Sequence, residues 1–254
     1  VGAHEGRVAL VTGASRGLGA AIATRLAREG AGVGLVARTA SALEEVAEAI
    51  RSEGGAAAWH AADVADPEAA GRAVTALEEE LGGIDLLVNN AAGTIRRRAD
   101  EYTLEEWEGL LRVLLTAPFD WSRRVAASMR RRRFGRIVNV GSVAGMVALP
   151  TGAAYASAKA GLAMLTRCLA REWGPDGVTV NLVAPWYVPT ALTEGVLADA
   201  AWREAVLRAT PTGRLGTPEE VAAAVSFLCG EEAGWINGVC LPLDGGFSAA
   251  SFWP

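Results

Sequence analysis

Ser142, Tyr155 and Lys159 are the residues whose types and spacing can do acid–base chemistry. Ser142 follows Arg136–Val140, an apolar run that reads as a strand, so its hydroxyl stands near a C-terminal strand end. Further on, Tyr155-Ala156-Ser157-Ala158-Lys159 puts a phenol and an ammonium on one helix face at i,i+4. An ammonium beside a phenol favours the phenolate and is expected to lower its pKa from about 10. Tyr155 then serves as a proton donor or acceptor near neutral pH, while Ser142 holds a substrate oxygen before it. Tyr-x-x-x-Lys also arises by chance as an ordinary amphipathic pair. Here it uses the only lysine in a chain whose other basic residues are all arginine, 24 together. An ammonium offers a compact charge with rotatable donors that a guanidinium does not.

A second motif supplies a partner for that chemistry. Thr12-Gly13-Ala14-Ser15-Arg16-Gly17-Leu18-Gly19 joins a strand to a helix with Gly-x-x-x-Gly-x-Gly spacing. Glycines let the backbone turn tightly and approach a pyrophosphate, whose charge the helix N-terminus stabilises. The second strand ends Val36-Ala37-Arg38-Thr39, without the acid that accepts a ribose 2′-hydroxyl. Arg38, helped by Arg16, would instead meet a 2′-phosphate, so NADP(H) is expected over NAD(H).

The elements that position these residues follow from hydrophobic periodicity. Strands are expected at Val8–Thr12, Val33–Ala37, Ala56–His60, Ile84–Val88, Arg136–Val140, Thr179–Val183 and Val239–Leu243. Amphipathic helices are expected at Leu18–Glu29, Ser41–Glu53, Pro67–Leu81, Leu104–Arg132 and Ala153–Trp173, with a last one opening at Thr217-Pro218. Alternation of this kind implies an α/β fold: a single Rossmann-type domain over 1–254, with a doubly wound parallel sheet. The stretch 185–211 breaks the rhythm and reads as a substrate lid.

Composition narrows the classes. The 254 residues are 51% apolar and carry a formal charge of −5, which argues for a large core and against nucleic acid as a partner. No apolar run reaches membrane-spanning length, and no secretory leader is visible, so a cytoplasmic protein is expected. Cys168, Cys229 and Cys240 lack C-x-x-C spacing and read as buried, reduced packing residues. Two histidines make a histidine-based metal site improbable. Arg96–Arg98 and Arg130–Arg133 read as solvated charge runs, the second closing a helix.

Thr12–Gly19, Asp63-Val64, Asn89-Asn90-Ala91-Ala92-Gly93, Ser142, Tyr155/Lys159, Asn181…Pro185 and Asp244-Gly245-Gly246 together resemble the short-chain dehydrogenase/reductase family over nearly the whole chain. The resemblance implies NAD(P) chemistry at a carbonyl or alcohol and a homotetramer or homodimer built from the long helices. It implies that Asp63 meets the adenine and that Val64, Asn89, Ala91 and Gly93 line the cofactor. Lys159 would hold the nicotinamide ribose, with Pro185, Val188 and Thr190 near the nicotinamide. Leu165–Trp173 and Pro185-Trp186-Tyr187 look like the tropinone-reductase-like group, with the 3-oxoacyl-carrier-protein reductases as the nearest alternative.

Two positions depart from the family pattern. Leu114 falls where the family usually has an asparagine that binds a water linking the lysine to solvent, and leucine cannot hold a water. Pro118 in the same helix removes a donor and should bend it. Trp186 replaces a more usual glycine; with Tyr187, Val143, Met146 and Leu149 it implies an apolar pocket for a hydrophobic or cyclic ketone. The leading reading is an NADPH-dependent carbonyl reductase. The alternative is a nucleotide-binding regulator or pseudoenzyme weakened at Leu114; a sugar-nucleotide epimerase or dehydratase fits poorly.

Overall fold

Short runs rich in Val, Leu, Ile and Ala form seven strands, because apolar residues at every position suit strands buried on both faces. In the computed structural model, which describes residues 2–249, these are β1 (Val8–Thr12), β2 (Gly32–Ala37), β3 (Ala57–Ala61), β4 (Leu86–Asn89), β5 (Gly135–Val140), β6 (Val178–Pro185) and β7 (Cys240–Leu243). All neighbours pair parallel in the order β3-β2-β1-β4-β5-β6-β7. Each expected strand is present, displaced by at most a few residues at its ends.

Side-chain alternation sorts the core into two layers. Ala9 and Val11 of β1, Leu35 of β2 and Val138 of β5 point to one face. There they pack on α1 (Gly17–Arg28), α2 (Ala40–Ser52) and α9 (Pro218–Cys229) through Ile22, Leu43 and Val225. Leu10, Val36, Leu87 and Ile137 point to the other, against α3 (Pro67–Leu81), α5 (Ala117–Arg132) and α6 (Ala153–Trp173), where Leu77, Trp121 and Leu169 fill the space. The helix starts follow local chemistry. Asp66 accepts from the backbone of Glu68 and Ala69 ahead of Pro67, and Thr217 forms a reciprocal capping box with Glu220. Arg133, in the left-handed region at φ 56°, ends α5 after Arg130, Arg131 and Arg132.

The long helix expected over Leu104–Arg132 is not continuous. It consists of α4 (Leu104–Leu111), a π-helical turn at Arg112–Thr116, and α5. Pro118 has no N–H to close the preceding α-turn, so the widened turn sits directly before it. The region 185–211 is also more ordered than a loop, holding α7 (Glu194–Leu197) and α8 (Ala200–Ala209). Cys229 is buried as expected, but Cys168 is exposed, because its position on α6 faces away from the sheet.

The chain winds outward from β1 to β3, then returns to place β4 on the other side of β1. This reversal opens a crevice beyond the C-terminal ends of β1 and β4. Asn90 closes its floor. Its side chain donates to the carbonyls of Thr12 and Gly13, and its N–H bonds the Thr12 hydroxyl, so the two strand exits are tied together.

Candidate active site

A cavity of about 700 Å³ occupies this crevice. At one end it is lined by Gly13, Ser15, Arg16, Gly17, Leu18 and Gly19 from the first turn, by Arg38 and Thr39 after β2, and by Asp63 and Val64 after β3. Ala91 and Gly93 continue the wall after β4. The turn forms a cradle that side chains would fill. A Cβ on Gly19 would lie 2.1 Å from the Gly13 carbonyl oxygen, and one on Gly13 would lie 2.8 Å from the Ala91 Cα. Arg16 at the start of α1 makes no side-chain cap, and the first turn of α1 holds no acid. The free N–H groups and positive dipole end of α1 are thus available to an anion. Arg16 and Arg38 add two guanidinium groups at this end, so the residues present fit NADP(H).

The other end brings together Ser142 after β5, Tyr155 and Lys159 of α6, and Pro185, Trp186, Tyr187, Val188 and Thr190 after β6, with Leu149 beside them. Lys159 is 3% exposed and donates to the Val140 carbonyl at 2.7 Å. Burial lowers its pKa to about 8. Its Nζ lies 5.8 Å from the centre of the Tyr155 ring. The expected lowering of the phenol's pKa is reversed: burial of Tyr155 pushes it up, opposed by a hydrogen bond with Ser142 and by the charge of Arg96. Desolvation dominates because the phenol is enclosed by α6 and the apolar cluster around Leu110 and Leu114. Ser142 accepts from the Ala144 N–H at 3.1 Å, which leaves its own hydrogen to donate.

Three residues expected in the site lie outside the cavity. Asn89 is the last residue of β4 and its side chain turns to α5, donating to Asn139 Oδ1 at 2.8 Å and Ser122 Oγ at 3.1 Å. The lining residue is its neighbour Asn90, on the opposite face by strand alternation. Val143 is fully buried in packing, and Met146 is 44% exposed beyond the rim. Thr94, Arg96, Val113, Thr151 and Leu192 also line the cavity, so polar side chains stand there beside the apolar Leu149, Trp186 and Tyr187. Arg96 and Thr151 carry no recognisable motif; only the fold brings their loops to Tyr155.

The family model described as Enoyl-(Acyl carrier protein) reductase matches residues 13–248. The chain belongs to the short-chain dehydrogenase/reductase family. It is 42% identical over 242 residues to the 3-oxoacyl-(acyl-carrier-protein) reductase of Vibrio cholerae serotype O1, covering 95% of this chain and 97% of that one. It is 38% identical to the gluconate 5-dehydrogenase of Gluconobacter oxydans, covering 97% and 96%. The structure of a gluconate 5-dehydrogenase from Burkholderia cenocepacia, in complex with NADP and tartrate, superposes with a TM-score of 0.94 at 36% identity over 97% of both chains.

As a short-chain dehydrogenase/reductase, the protein is an oxidoreductase with two unusual residues. Leu114 lies in the π-helical turn, wholly buried against Tyr155, Ala144 and Ala158. Its side chain brings no polar group to Lys159. Trp186 stacks on Phe247 at 3.9 Å and 9°, meets Tyr187 edge-on at 4.7 Å, and donates to Thr210 Oγ1. Trp202 of α8 donates to the Tyr187 hydroxyl at 3.1 Å. Trp186 therefore both walls the cavity and fastens 185–211 to the segment after β7. Phe247 was not legible as part of this cluster from sequence.

Proposed function

We propose that the protein is an NADPH-dependent carbonyl reductase, running in reverse as an alcohol dehydrogenase on a ketone or secondary alcohol. The observation that carries this is the convergence of Ser142, Tyr155 and Lys159 in the same cavity as the glycine cradle. Gly13–Gly19 would hold the pyrophosphate, Arg16 and Arg38 the 2′-phosphate, Asp63 and Val64 the adenine, and Lys159 the ribose near the nicotinamide. Bound NADPH supplies the hydride that reduces the carbonyl carbon. Ser142 donates a hydrogen bond to the carbonyl oxygen and orients it. Tyr155 gives that oxygen its phenolic proton, and the ammonium of Lys159 stabilises the phenolate left behind.

The raised phenol pKa keeps Tyr155 protonated at neutral pH, the state needed for reduction. Residues 185–211 act as a lid, tethered through Trp186 and Tyr187. Exposed Phe119 and Met164 on α5 and α6, and exposed Phe227 and Trp235 near α9, support assembly into a homotetramer or homodimer, which light scattering would measure. The regulator reading has only Leu114 in its favour, and the intact site stands against it.

The test is consumption of NADPH and of NADH with cyclic, aromatic and acyl-thioester ketones, and with oxo acids. Turnover with NADPH preferred, lost in Tyr155→Phe, is expected. Tight NADPH binding with no turnover of any ketone would overturn the reductase.

A further inference from the structure

Thr210-Pro211-Thr212, after α8, and Asp244-Gly245-Gly246, after β7, are distant in sequence and packed together in the fold. The Thr212 N–H donates to the Gly245 carbonyl at 3.1 Å. Gly245 and Gly246 have φ +60° and +93°. A Cβ on Gly246 would lie 3.1 Å from Pro211 Cγ, and one on Gly245 would run into the Thr212 hydroxyl, so only glycines let the two turns press this closely. The Asp244 carboxylate accepts from the N–H groups of Gly246 at 2.9 Å and Ser248 at 2.8 Å. These two bonds fix the turn and present Phe247, which lies between them in the chain.

What this block holds is the indole of Trp186. The Trp186 backbone N–H donates to the Leu243 carbonyl at 3.1 Å, and its indole N–H donates to Thr210 Oγ1 at 3.1 Å. Phe247 covers one ring face at 3.9 Å, and Tyr187 meets the ring edge-on. Thr210 is itself buried and gives its hydrogen to the Val206 carbonyl at 2.7 Å, which leaves its oxygen to accept from the indole. The indole nonetheless forms part of the cavity wall, at the end that holds Ser142 and Tyr155. It cannot swing aside without losing both a hydrogen bond and a stacked aromatic pair. A cavity of about 700 Å³ has to take a dinucleotide and a substrate together, and pockets of about 300–1,000 Å³ ordinarily enclose a single drug-sized ligand.

We propose that Trp186 is a fixed size filter at the substrate end, admitting compact ketones and excluding those that carry a second ring. Phe247 and Thr210 are positioning residues that hold the filter in place and act only through it. The turn after β7 therefore sets the width of a pocket it does not itself line. This rests on the reductase reading and names what limits the substrates of that same site. A bulky substituent meets a wall that does not yield, because moving the indole would undo the packing of three separate segments.

The experiment compares kcat/KM for cyclohexanone with that for decalone, whose second saturated ring adds bulk without an aromatic face. It uses NADPH and the wild type, Trp186→Ala, Trp186→Phe, Phe247→Ala, Phe247→Tyr and Trp202→Phe. The wild type should prefer cyclohexanone. Trp186→Ala should cut the cyclohexanone-to-decalone ratio by about 10- to 100-fold, the discrimination a tight apolar pocket supplies, and Trp186→Phe by less. Phe247→Ala should lower the ratio by about 3- to 10-fold, the share of one aromatic pair, whereas Phe247→Tyr keeps the stacked ring and should restore it. Trp202→Phe loosens the lid at Tyr187 without touching Trp186, and should leave the ratio as it is. A ratio unmoved by Trp186→Ala, or a wild type that turns over decalone as well as cyclohexanone, would overturn the filter while leaving the reductase standing. An effect of Phe247→Ala no larger than that of Trp202→Phe would overturn the positioning role of Phe247. No turnover of either ketone by any of the proteins, nor of any other ketone, would overturn the reductase reading itself, and the filter with it.

Discussion

Replacing Lys159 by methionine should make the cofactor-free protein more stable while removing its activity. The ammonium is buried and, among the described residues, has one hydrogen-bond partner, the Val140 carbonyl, and no carboxylate in contact. Its pKa falls from 10.5 to about 8 through burial alone. At about 1.4 kcal/mol per pKa unit, holding the charged form in the fold costs about 3 kcal/mol at pH 7. Methionine fills nearly the same volume without charge and forfeits one hydrogen bond from a charged donor worth about 2 kcal/mol, so a net gain of about 1 kcal/mol is expected.

The sign of the pH dependence follows from the lowered pKa. Between about pH 8 and 10.5 the unfolded chain binds the proton that the folded protein has released, so the wild type gains stability as pH rises. The advantage of Lys159→Met should therefore close, the difference shifting toward the wild type by about 1 kcal/mol between pH 7 and pH 9. Cys229, whose thiol burial pushes up to about 12, works in the opposite direction above pH 9, but is common to both proteins and cancels in the difference. Urea unfolding at pH 7, 8 and 9 measures it. A variant less stable than the wild type at pH 7, with a gap that does not change with pH, would refute the account. Stability given up at Lys159 is then the cost of keeping an ammonium beside Tyr155.

Other outcomes test separate parts of the structure. Arg38→Asp should lower the preference for NADPH over NADH by about 100-fold, and an unchanged ratio of kcat/KM would remove Arg38 from 2′-phosphate recognition. Leu114→Asn should raise turnover while costing about 2–4 kcal/mol, since it places an amide in the apolar cluster beside Tyr155; unchanged turnover would show that proton supply does not pass there. His4 is buried between Glu29 and Ser226, and burial, with Arg25 and Arg7 nearby, holds its pKa below 6.5. The unfolded chain takes up this proton first, so stability should fall as pH drops below 6.5. Thermal melts of His4→Gln from pH 7 to pH 5 should show a shallower fall; equal slopes would count against it.

Local chemistry made much of this protein legible in its sequence. Glycine spacing between a strand and a helix, a proline after an N-cap aspartate, and apolar runs of strand length depend on neighbours a few residues away. For that reason the seven strands, the helix starts at Pro67 and Pro218, and the Tyr155–Lys159 pair could be read directly. What remained hidden depends on contacts between distant segments. Strand alternation at the end of β4 sends Asn89 toward α5 and leaves Asn90 to the cavity, yet the sequence shows only two adjacent asparagines. The direction of the Tyr155 pKa shift depends on how completely the apolar cluster around Leu114 encloses the phenol, which no spacing encodes. Arg96 looks like one of three surface arginines until the fold sets its loop in the cavity wall, where its charge acts on Tyr155.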